Sequence, residues 1–336
     1  MRYTVITSLI VLLSCGYKIQ GLKGRVNKII GLDHFDSDET TISTGIHLVC
    51  AIVSDESNRS KVEFQMDGSV VCWGELPYGL ETHAHPLHDG FVQVVCGRVS
   101  CCGLHRTRKV SCWGHANSPK PSQFETFVQL SAGTDHMCGL RLDGSIRCWG
   151  RNSDGESSPP RGSYVQVSCG KTHCCAIDSD GLAVCWGRQS RKGETSPPEG
   201  VRFKQISASF DDHNCGIEDS PEEDSSYSSS GQVHCWGNNR LGQSSPPEGK
   251  FYSVTTGRSY SCGIRAPSRE IQCWGKLKRF SNKDRWSEIS AGHSTLCGIT
   301  IDTHRVHCFH AIGMGRSTYA DETRMLVPLI GSVSLP

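Results

Sequence analysis

Cysteine is the residue type whose number and spacing carry the most chemistry in this chain. There are 19 cysteines among 336 residues, and thiols in such numbers serve either metal coordination or disulfide cross-linking. Zinc sites favour cysteines two to four residues apart, with a second such pair nearby. The sequence contains no Cys-x-x-Cys. The spacing therefore favours disulfide bonds, and disulfide bonds predict a protein that works outside the cytosol.

Fourteen of the cysteines fall into seven pairs that recur at the same place in a repeated segment. The second member of each pair belongs to a Cys-Trp-Gly tripeptide, or to its degenerate last copy, Cys308-Phe309-His310. Five pairs are 10 or 11 residues apart, which sets the two residues opposite, or nearly opposite, each other across one hairpin and within reach of a disulfide. The other two pairs enclose insertions, Ser54–Gln65 and Glu218–Ser230, in that same hairpin. The predicted pairs are Cys50 with Cys72, Cys102 with Cys112, Cys138 with Cys148, Cys175 with Cys185, Cys215 with Cys235, Cys262 with Cys273, and Cys297 with Cys308.

Four more cysteines occupy equivalent positions in two of the repeats, within VCGRVSCC and SCGKTHCC. Adjacent residues of a strand point to opposite faces, so Cys101 and Cys102 need not compete for one partner. Each of the two short bridges would close the turn between two strands. With Cys15 assigned to the N-terminal segment, 18 cysteines remain, and nine disulfides are expected. The two additional predicted bridges join Cys96 with Cys101 and Cys169 with Cys174.

The N-terminus has the pattern of a secretory signal peptide. Its apolar run, Thr4–Leu13, is the length of a signal core and too short to span a bilayer. We expect residues 1–21 to be removed and the mature chain, residues 22–336, to be secreted. The alternative is a lipoprotein signal that would anchor the chain to a membrane through Cys15. No other segment of the sequence is apolar and long enough to cross a membrane.

A repeat of about 40 residues organises the rest of the chain. Six of the 7 tryptophans lie in the Cys-Trp-Gly tripeptides. In the third copy, alternation from Val128 to Ala132 predicts a strand, and a second strand ends at Asp143-Gly144, a dipeptide typical of hairpins. A third strand ends the unit at Trp149. Three or four short antiparallel strands, repeated seven times over about residues 40–310, predict an all-β, seven-bladed β-propeller with intrablade disulfides.

The repeat resembles a known family. An apolar strand, Gly-x-x-His, a hairpin, Trp-Gly and a loop ending in Pro-Pro are similar to the regulator of chromosome condensation repeat. The Cys-Trp-Gly variant is similar to ectodomains of crinkly-type plant receptor kinases, and the propeller-type beta-lactamase inhibitor protein shares the repeat. The resemblance implies a seven-bladed propeller closed into a disc, but no single function, because such propellers serve as exchange factors, inhibitors and ectodomains. The motif is intact at Gly133/His136 and Gly170/His173, and altered at Ser100, His213 and Tyr260.

Charge excludes one class of partner. Lys plus Arg number 35 and Asp plus Glu 34, a net charge of +1, so the chain lacks the basic excess that holds a protein on nucleic acid. Local clusters are expected to be solvated loops or structural residues: the His-rich loop His83–Asp89, the triplet His304, His307 and His310, and the basic run Lys276–Arg285.

No site of catalysis is predicted. Gly170-Lys171-Thr172 matches the end of a P-loop, but Val165 stands where the first Gly is required. No nucleophile elbow is present in the sequence. We expect no catalytic residue, cofactor or metal, although a propeller can assemble an active site in its central channel from distant residues. The Gly-x-x-His histidines are expected to bond backbone between strands. The only N-glycosylation sequon predicts a glycan on Asn58, in the first insertion.

The expected function is a secreted, monomeric module that binds an extracellular protein or glycan through one rim. Two alternatives remain at this point. One is a guanine-nucleotide exchange factor for a small GTPase, which would need reduced cysteines and a nuclear location. The other is a soluble relative of a receptor kinase ectodomain.

Overall fold

The computed structural model describes residues 42–46, 48–54, 68–74, 90–114, 120–219, 229–303 and 306–310. Within these ranges the regular structure is entirely β, so the predicted all-β class is confirmed. In chain order the strands are β1 (Ile42–Thr44), β2 (Leu48–Ser54), β3 (Gly68–Gly74), β4 (Phe91–Cys96), β5 (Ser100–His105), β6 (Val110–Gly114), β7 (Gln129–Ala132), β8 (His136–Leu140), β9 (Ile146–Gly150), β10 (Tyr164–Cys169), β11 (His173–Asp178), β12 (Ala183–Gly187), β13 (Phe203–Ala208), β14 (His213–Glu218), β15 (Gly231–Gly237), β16 (Lys250–Thr256), β17 (Tyr260–Arg265), β18 (Ile271–Gly275), β19 (Ser281–Asn282), β20 (Trp286–Ala291), β21 (Thr295–Thr300) and β22 (Val306–His310).

Three consecutive antiparallel strands form each structural unit, which we call a blade. The described residues hold seven such units: β1–β3, β4–β6, β7–β9, β10–β12, β13–β15, β16–β18 and β20–β22. Short pairings between β15 and β16, and between β18 and β19, join blades 5 and 6 into one longer sheet. We call the three strands of a blade inner, middle and outer, in chain order.

Nine disulfide bonds cross-link the described residues, with Cα atoms 4.0–4.1 Å apart. Seven of them join the middle and outer strands of one blade, where the two cysteines are direct cross-strand neighbours. These seven bonds, in order from blade 1 to blade 7, are Cys50–Cys72, Cys102–Cys112, Cys138–Cys148, Cys175–Cys185, Cys215–Cys235, Cys262–Cys273 and Cys297–Cys308.

The other two disulfides join the inner and middle strands of blades 2 and 4. They are Cys96–Cys101 and Cys169–Cys174, and each closes the turn between its two strands. In both blades the next residue of the middle strand, Cys102 or Cys175, bonds to the outer strand instead. All nine bonds therefore join the partners that the sequence predicts.

In blades 2, 3, 5, 6 and 7 an aromatic pair lies between the inner and outer strands. In blade 3, the rings of Phe127 and Trp149 lie with centroids 5.6 Å apart. They meet over Gly139 of the middle strand, where an added Cβ would lie 2.3 Å from the Phe127 ring. The Gly that follows the hairpin cysteine is therefore needed for this packing. Blade 4 accommodates Ala176 at the equivalent position, with Tyr164 as the inner-strand aromatic residue.

Side chains of each inner strand hydrogen-bond to the backbone of the next blade. The Ser168 hydroxyl accepts from the N–H of Ala208 at 2.9 Å, and the Gln166 amide oxygen accepts from the N–H of Ile206 at 2.7 Å. The same hydroxyl-to-amide bond links Ser43 to Cys96, Ser131 to Cys169, Ser207 to Thr256, Thr255 to Ala291 and Ser290 to Thr44.

The last blade contacts the first through this same type of bond. Ser290 accepts from the N–H of Thr44 at 3.2 Å, and Glu288 accepts from the N–H of Ile42 at 3.3 Å. The backbone N–H of His293 donates to the carbonyl of Gly45. In the described residues no disulfide joins two blades. Covalent cross-links therefore act inside blades, and hydrogen bonds and packing act between them.

Removing one bridge tests this division. The double variant Cys138→Ser/Cys148→Ser should lower the free energy of unfolding by about 3 kcal/mol, because a cross-link closing about ten residues is lost. Denaturant titration measures the change, and peptide mapping should find the other eight bonds unaltered. Scrambled bonds in this variant would contradict a cross-link that acts only within its blade.

The single variant Cys148→Ser serves as the contrast. It leaves a Cys138 thiol 3.6 Å from the sulfur of Cys174, which belongs to a bond of the next blade. A thiolate so close to a disulfide can exchange with it. Mixed pairings should therefore appear in the single variant and be absent from the double one.

Candidate recognition surface and central channel

The hairpins between middle and outer strands lie together on one face of the molecule, which we call the hairpin face. Neighbouring blades contact there: the backbone N–H of Tyr164 in blade 4 donates to the carbonyl of Gly144 in blade 3, and the N–H of Phe203 in blade 5 donates to that of Gly181 in blade 4 at 2.7 Å. The turns between inner and middle strands, with the tripeptide ends, lie on the opposite face, the loop face. Both insertions belong to hairpins of the hairpin face, between β2 and β3 and between β14 and β15. Residues 55–67, which include the predicted glycosylation site Asn58, and residues 220–228 lie outside the described ranges.

Exposed apolar side chains mark the hairpin face of blades 3 and 4. Leu142 is 63% exposed, Val165 41% and Leu182 40%. Leu142 and Leu182 belong to successive hairpins, and Val165 lies on the inner strand between them. On the loop face, Leu241 is 55% exposed. Sequence reasoning did not single out these residues, because exposure at a hairpin tip depends on how blades are arranged.

The inner strands line a central channel of about 700 Å³. Its wall is built mainly of amide and hydroxyl side chains, many of which are engaged in the interblade hydrogen bonds. Charged lining residues lie on blades 5 to 7 and are Lys204, Arg269 and Glu288. Lys204 donates to the carbonyl of Ser230 at 2.9 Å, and Arg269 lies over the ring of Tyr252 at 3.9 Å. The channel is polar, and its charge is concentrated at one side.

The two intact Gly-x-x-His histidines bond side chains of the next blade, so the prediction that they bond backbone was wrong. His136 Nε2 lies 3.1 Å from Cys174 Sγ, and His173 Nε2 lies 2.6 Å from Asn214 Oδ1. In both cases the partner of the imidazole is a side chain of the next blade's middle strand. These histidines therefore hold one blade to the next.

His213, at the altered copy of the motif, is placed in the same way. Its Nε2 lies 3.0 Å from the Ser261 hydroxyl of the next middle strand. His136, His173 and His213 are all buried. Burial lowers the pKa of all three, to about 3 for His136 and His213.

The tryptophans also bridge blades. The indole N–H of Trp186 donates to the carbonyl of Glu156, that of Trp236 to Glu194, and that of Trp274 to Gln243. Each acceptor belongs to the loop that follows the tripeptide of the preceding blade. The side chains of these three acceptor residues are fully or almost fully buried. Each accepts a hydrogen bond within its own loop: Glu156 from the N–H of Asp154, Glu194 from the hydroxyl of Ser190, and Gln243 from the N–H of Leu241. The loop pattern Gly-Glu/Gln is therefore a structural part of the blade junction.

Two groups of possible metal ligands come together, although the sequence predicted no metal site. They are Cys50, Cys96 and Cys101, and His136, Cys169 and Cys174, with ligand atoms within 4.8 Å of one another in each group. Every cysteine of both groups is in a disulfide. A cysteine binds a metal as a thiolate, which a disulfide sulfur is not. The oxidised protein therefore has no cysteine ligand to offer at either place.

The other clusters from the sequence lie partly outside the described residues. Residues 75–89, with the His-rich loop, and residues 304–305 lie outside the described ranges. His307 and His310 are exposed on β22. The two ends of the basic run 276–285 lie on different faces. The backbone N–H of Lys276 donates to the carbonyl of Ser259 on the loop face. Arg285 precedes Trp286, whose N–H donates to the carbonyl of the hairpin residue Arg269. The run is thus not a single basic loop.

Comparison with known proteins supports the fold. The family model described as "Regulator of chromosome condensation (RCC1) repeat" matches residues 127–156 and 164–193, which are blades 3 and 4 with their following loops. Together with the solved structures below, these two matched segments support an RCC1-like propeller fold.

Several solved structures share this fold. The ectodomain of the receptor kinase CR4 from Physcomitrella patens is 23% identical, with a TM-score of 0.65 over 81% of this chain and 73% of that one. The CRINKLY WD40 ectodomain of the Arabidopsis thaliana receptor kinase ACR4 is 25% identical, with a TM-score of 0.63 over 84% of this chain and 98% of that one. Prp20p from Saccharomyces cerevisiae is 16% identical, with a TM-score of 0.56 over 75% and 80% of the two chains. Among the described residues, no helix is long and apolar enough to cross a membrane.

The buried histidines make stability depend on pH. His136 and His213 have folded pKa values of about 3, against an ordinary value of 6.5, so the unfolded chain binds protons that the folded one does not. Stability is therefore unaffected well above pH 6.5 and falls as the pH drops from 6.5 towards 3. At pH 5 the two together should have lowered the free energy of unfolding by about 4 kcal/mol relative to pH 8.

Urea titration at a series of pH values measures this effect. The double variant His136→Gln/His213→Gln should show a shallower loss of stability between pH 6.5 and 5. If its slope equals that of the wild type, the two histidines are not the source of acid sensitivity.

Proposed function

We propose that this chain is a secreted, monomeric, disulfide-stabilised propeller that recognises an extracellular protein or glycan without catalysis. Residues 1–21 would be removed as a signal peptide, and Asn58 would carry a glycan. The nine disulfides support an oxidising compartment. The likeness to the two plant receptor kinase ectodomains supports an extracellular recognition role.

The hairpin face carries the proposal. Exposed leucines of successive blades lie on it, and both long insertions leave the sheets there. Disulfides hold the middle and outer strands beneath these hairpins. Variable loops on a rigid frame are the usual arrangement of binding surfaces, and exposed apolar residues on one face favour a macromolecular partner.

An exchange factor for a small GTPase is the second candidate. Prp20p, whose structure is described with its binding properties to Gsp1p and histones, shares the fold at 16% identity. Disulfides do not persist in a reducing cytosol or nucleus. The cysteine pairs therefore favour the extracellular role.

Surface variants with a matched control test the choice of face. The purified protein would be titrated onto cells and extracellular matrix. Saturable binding would be measured by flow cytometry or by surface-bound fluorescence. Leu142→Glu and Leu182→Glu should each weaken binding at least tenfold, about 1.4 kcal/mol or more. Leu241→Glu makes the same change at a similarly exposed leucine of the loop face and should leave binding unchanged.

Two results would count against the proposal. One is saturable binding that Leu241→Glu abolishes and the hairpin-face variants leave intact, which would place recognition on the loop face. The other is the absence of saturable binding to every extracellular preparation, together with accumulation of the reduced protein inside cells.

A further inference from the structure

Two disulfides of neighbouring blades are in contact where blade 1 meets blade 2. The sulfur of Cys50, which is bonded to Cys72, lies 3.3 Å from the sulfur of Cys96 and 3.9 Å from that of Cys101. Cys96 and Cys101 are bonded to each other. Bonded sulfurs lie about 2.05 Å apart, so Cys50 and Cys96 need to approach each other by only about 1.3 Å to form a bond.

Ser43 holds the two cysteines against each other. It is the direct cross-strand neighbour of Cys50, and its hydroxyl accepts from the N–H of Cys96 at 3.2 Å. Cys50, Cys96 and Cys101 are all buried. The sulfur contact is therefore part of the packed junction between the two blades.

The second sulfur of the blade 1 disulfide is within reach of small molecules. Cys72 is only partly buried, and it belongs to β3, beyond which the described residues place no further strand of the sheet. A thiolate that attacks one sulfur of a disulfide expels the other sulfur. Attack by a small thiol at Cys72 therefore releases Cys50 as a thiolate, directly beside Cys96.

The junction of blades 3 and 4 has the same sulfur contact but lacks the access. Cys138 lies 3.6 Å from Cys174, and Ser131 there pairs with Cys138 and accepts from the N–H of Cys169, as Ser43 does at the first junction. However, Cys148, the outer cysteine of blade 3, is only 3% exposed. A thiol in solution therefore has no sulfur to attack in this bond.

Blade 5 has the access but lacks the sulfur contact. Cys235 is partly buried, as Cys72 is, but its partner Cys215 lies 3.5 Å from the hydroxyl of Ser261 in blade 6. Thr256 and Ser261 are paired at the end of the inner strand of blade 6, where blade 2 has its additional disulfide. A hydroxyl does not form a bond with a thiolate, so a released Cys215 returns to Cys235 and expels the incoming thiol.

We propose that Cys72 is a thiol-exchange site, to which a small thiol such as glutathione or cysteine becomes attached while Cys50 transfers to Cys96. The thiolate of the small thiol forms a bond to the sulfur of Cys72, and the Cys50–Cys72 bond breaks. The Cys50 thiolate then forms a bond to the sulfur of Cys96, and the Cys96–Cys101 bond breaks. Cys101 leaves as a thiolate and takes up the proton that the small thiol lost. Two disulfides and one thiol are present before and after, so no oxidant or reductant is consumed.

The exchange moves a covalent constraint from one blade to the junction between two. The Cys50–Cys72 bond encloses the first insertion, with a sequence separation of 22, and this hairpin loses its cross-link. In return, Cys50–Cys96 joins blades 1 and 2, whereas the nine disulfides of the described residues each lie within one blade. The small thiol stays attached to the outer strand of blade 1.

Disulfide mapping of the wild-type protein tests the proposal directly. The full-length secreted protein would be incubated with excess reduced glutathione at about pH 8, where part of the thiol is ionised, then quenched with acid and alkylated with N-ethylmaleimide. Digestion with trypsin and Glu-C places Cys50, Cys72, Cys96 and Cys101 in separate peptides. Mass spectrometry without reduction should find glutathione on Cys72, a bond between Cys50 and Cys96, and N-ethylmaleimide on Cys101.

A variant without the accepting disulfide tests the reason for this selectivity. In Cys96→Ser/Cys101→Ser the released Cys50 has no acceptor and returns to Cys72, so glutathione on Cys72 should fall at least tenfold. The matched control, Cys169→Ser/Cys174→Ser, removes the equivalent disulfide of blade 4 and should leave the modification of Cys72 unchanged. Similar thermal unfolding of the two variants shows that both remain folded.

Three results would overturn the proposal. The first is equal modification of Cys72 in wild type and in Cys96→Ser/Cys101→Ser. The second is wild-type protein in which glutathione is spread equally over Cys72 and Cys235. The third is the absence of a Cys50–Cys96 bond from glutathione-treated wild type, a result that decides the question even if the variant does not fold.

Discussion

The structure depends on backbone groups that no blade can satisfy by itself. Beyond the edge of each inner strand no further strand of its own blade is available, and a buried N–H without a partner is costly. Ser168 and Gln166 provide acceptors for the N–H groups of the next blade, and Ser290 provides one for Thr44 across the junction of last and first blades. At the one described junction where Val95 replaces the hydroxyl residue, Gln93 makes both an accepting and a donating bond to Leu130.

The disulfides stabilise the individual blades. The apolar clusters lie between neighbouring blades, and each holds one aromatic pair with a few aliphatic side chains. The hairpin of a single blade therefore gains from a covalent constraint on the unfolded chain. Because each bond is local, insertions such as those within Cys50–Cys72 and Cys215–Cys235 can lengthen a hairpin without loosening the strands below it. The same constraint that stabilises a blade therefore permits variation on the hairpin face, where recognition is proposed.

The sequence predicts the strands and disulfides within one blade, but not the side-chain contacts between blades. The cysteine partners follow from hairpin spacing, and the strands follow from alternation and from Asp143-Gly144. The partner of His136 lies 38 residues on, and spacing within one repeat cannot show which side chain of the next blade is nearest. The sequence predicts a single solvated loop for the basic run 276–285, but the run extends from one face to the other.

We propose an extracellular protein whose blades are separately cross-linked. Intact mass spectrometry of protein collected from culture medium, before and after reduction, tests it most directly. We expect a chain that lacks about the first 21 residues. We also expect a gain of about 18 Da on reduction, two hydrogens for each of nine bonds. A full-length, reduced protein found only inside cells would contradict it and would favour the intracellular exchange factor instead.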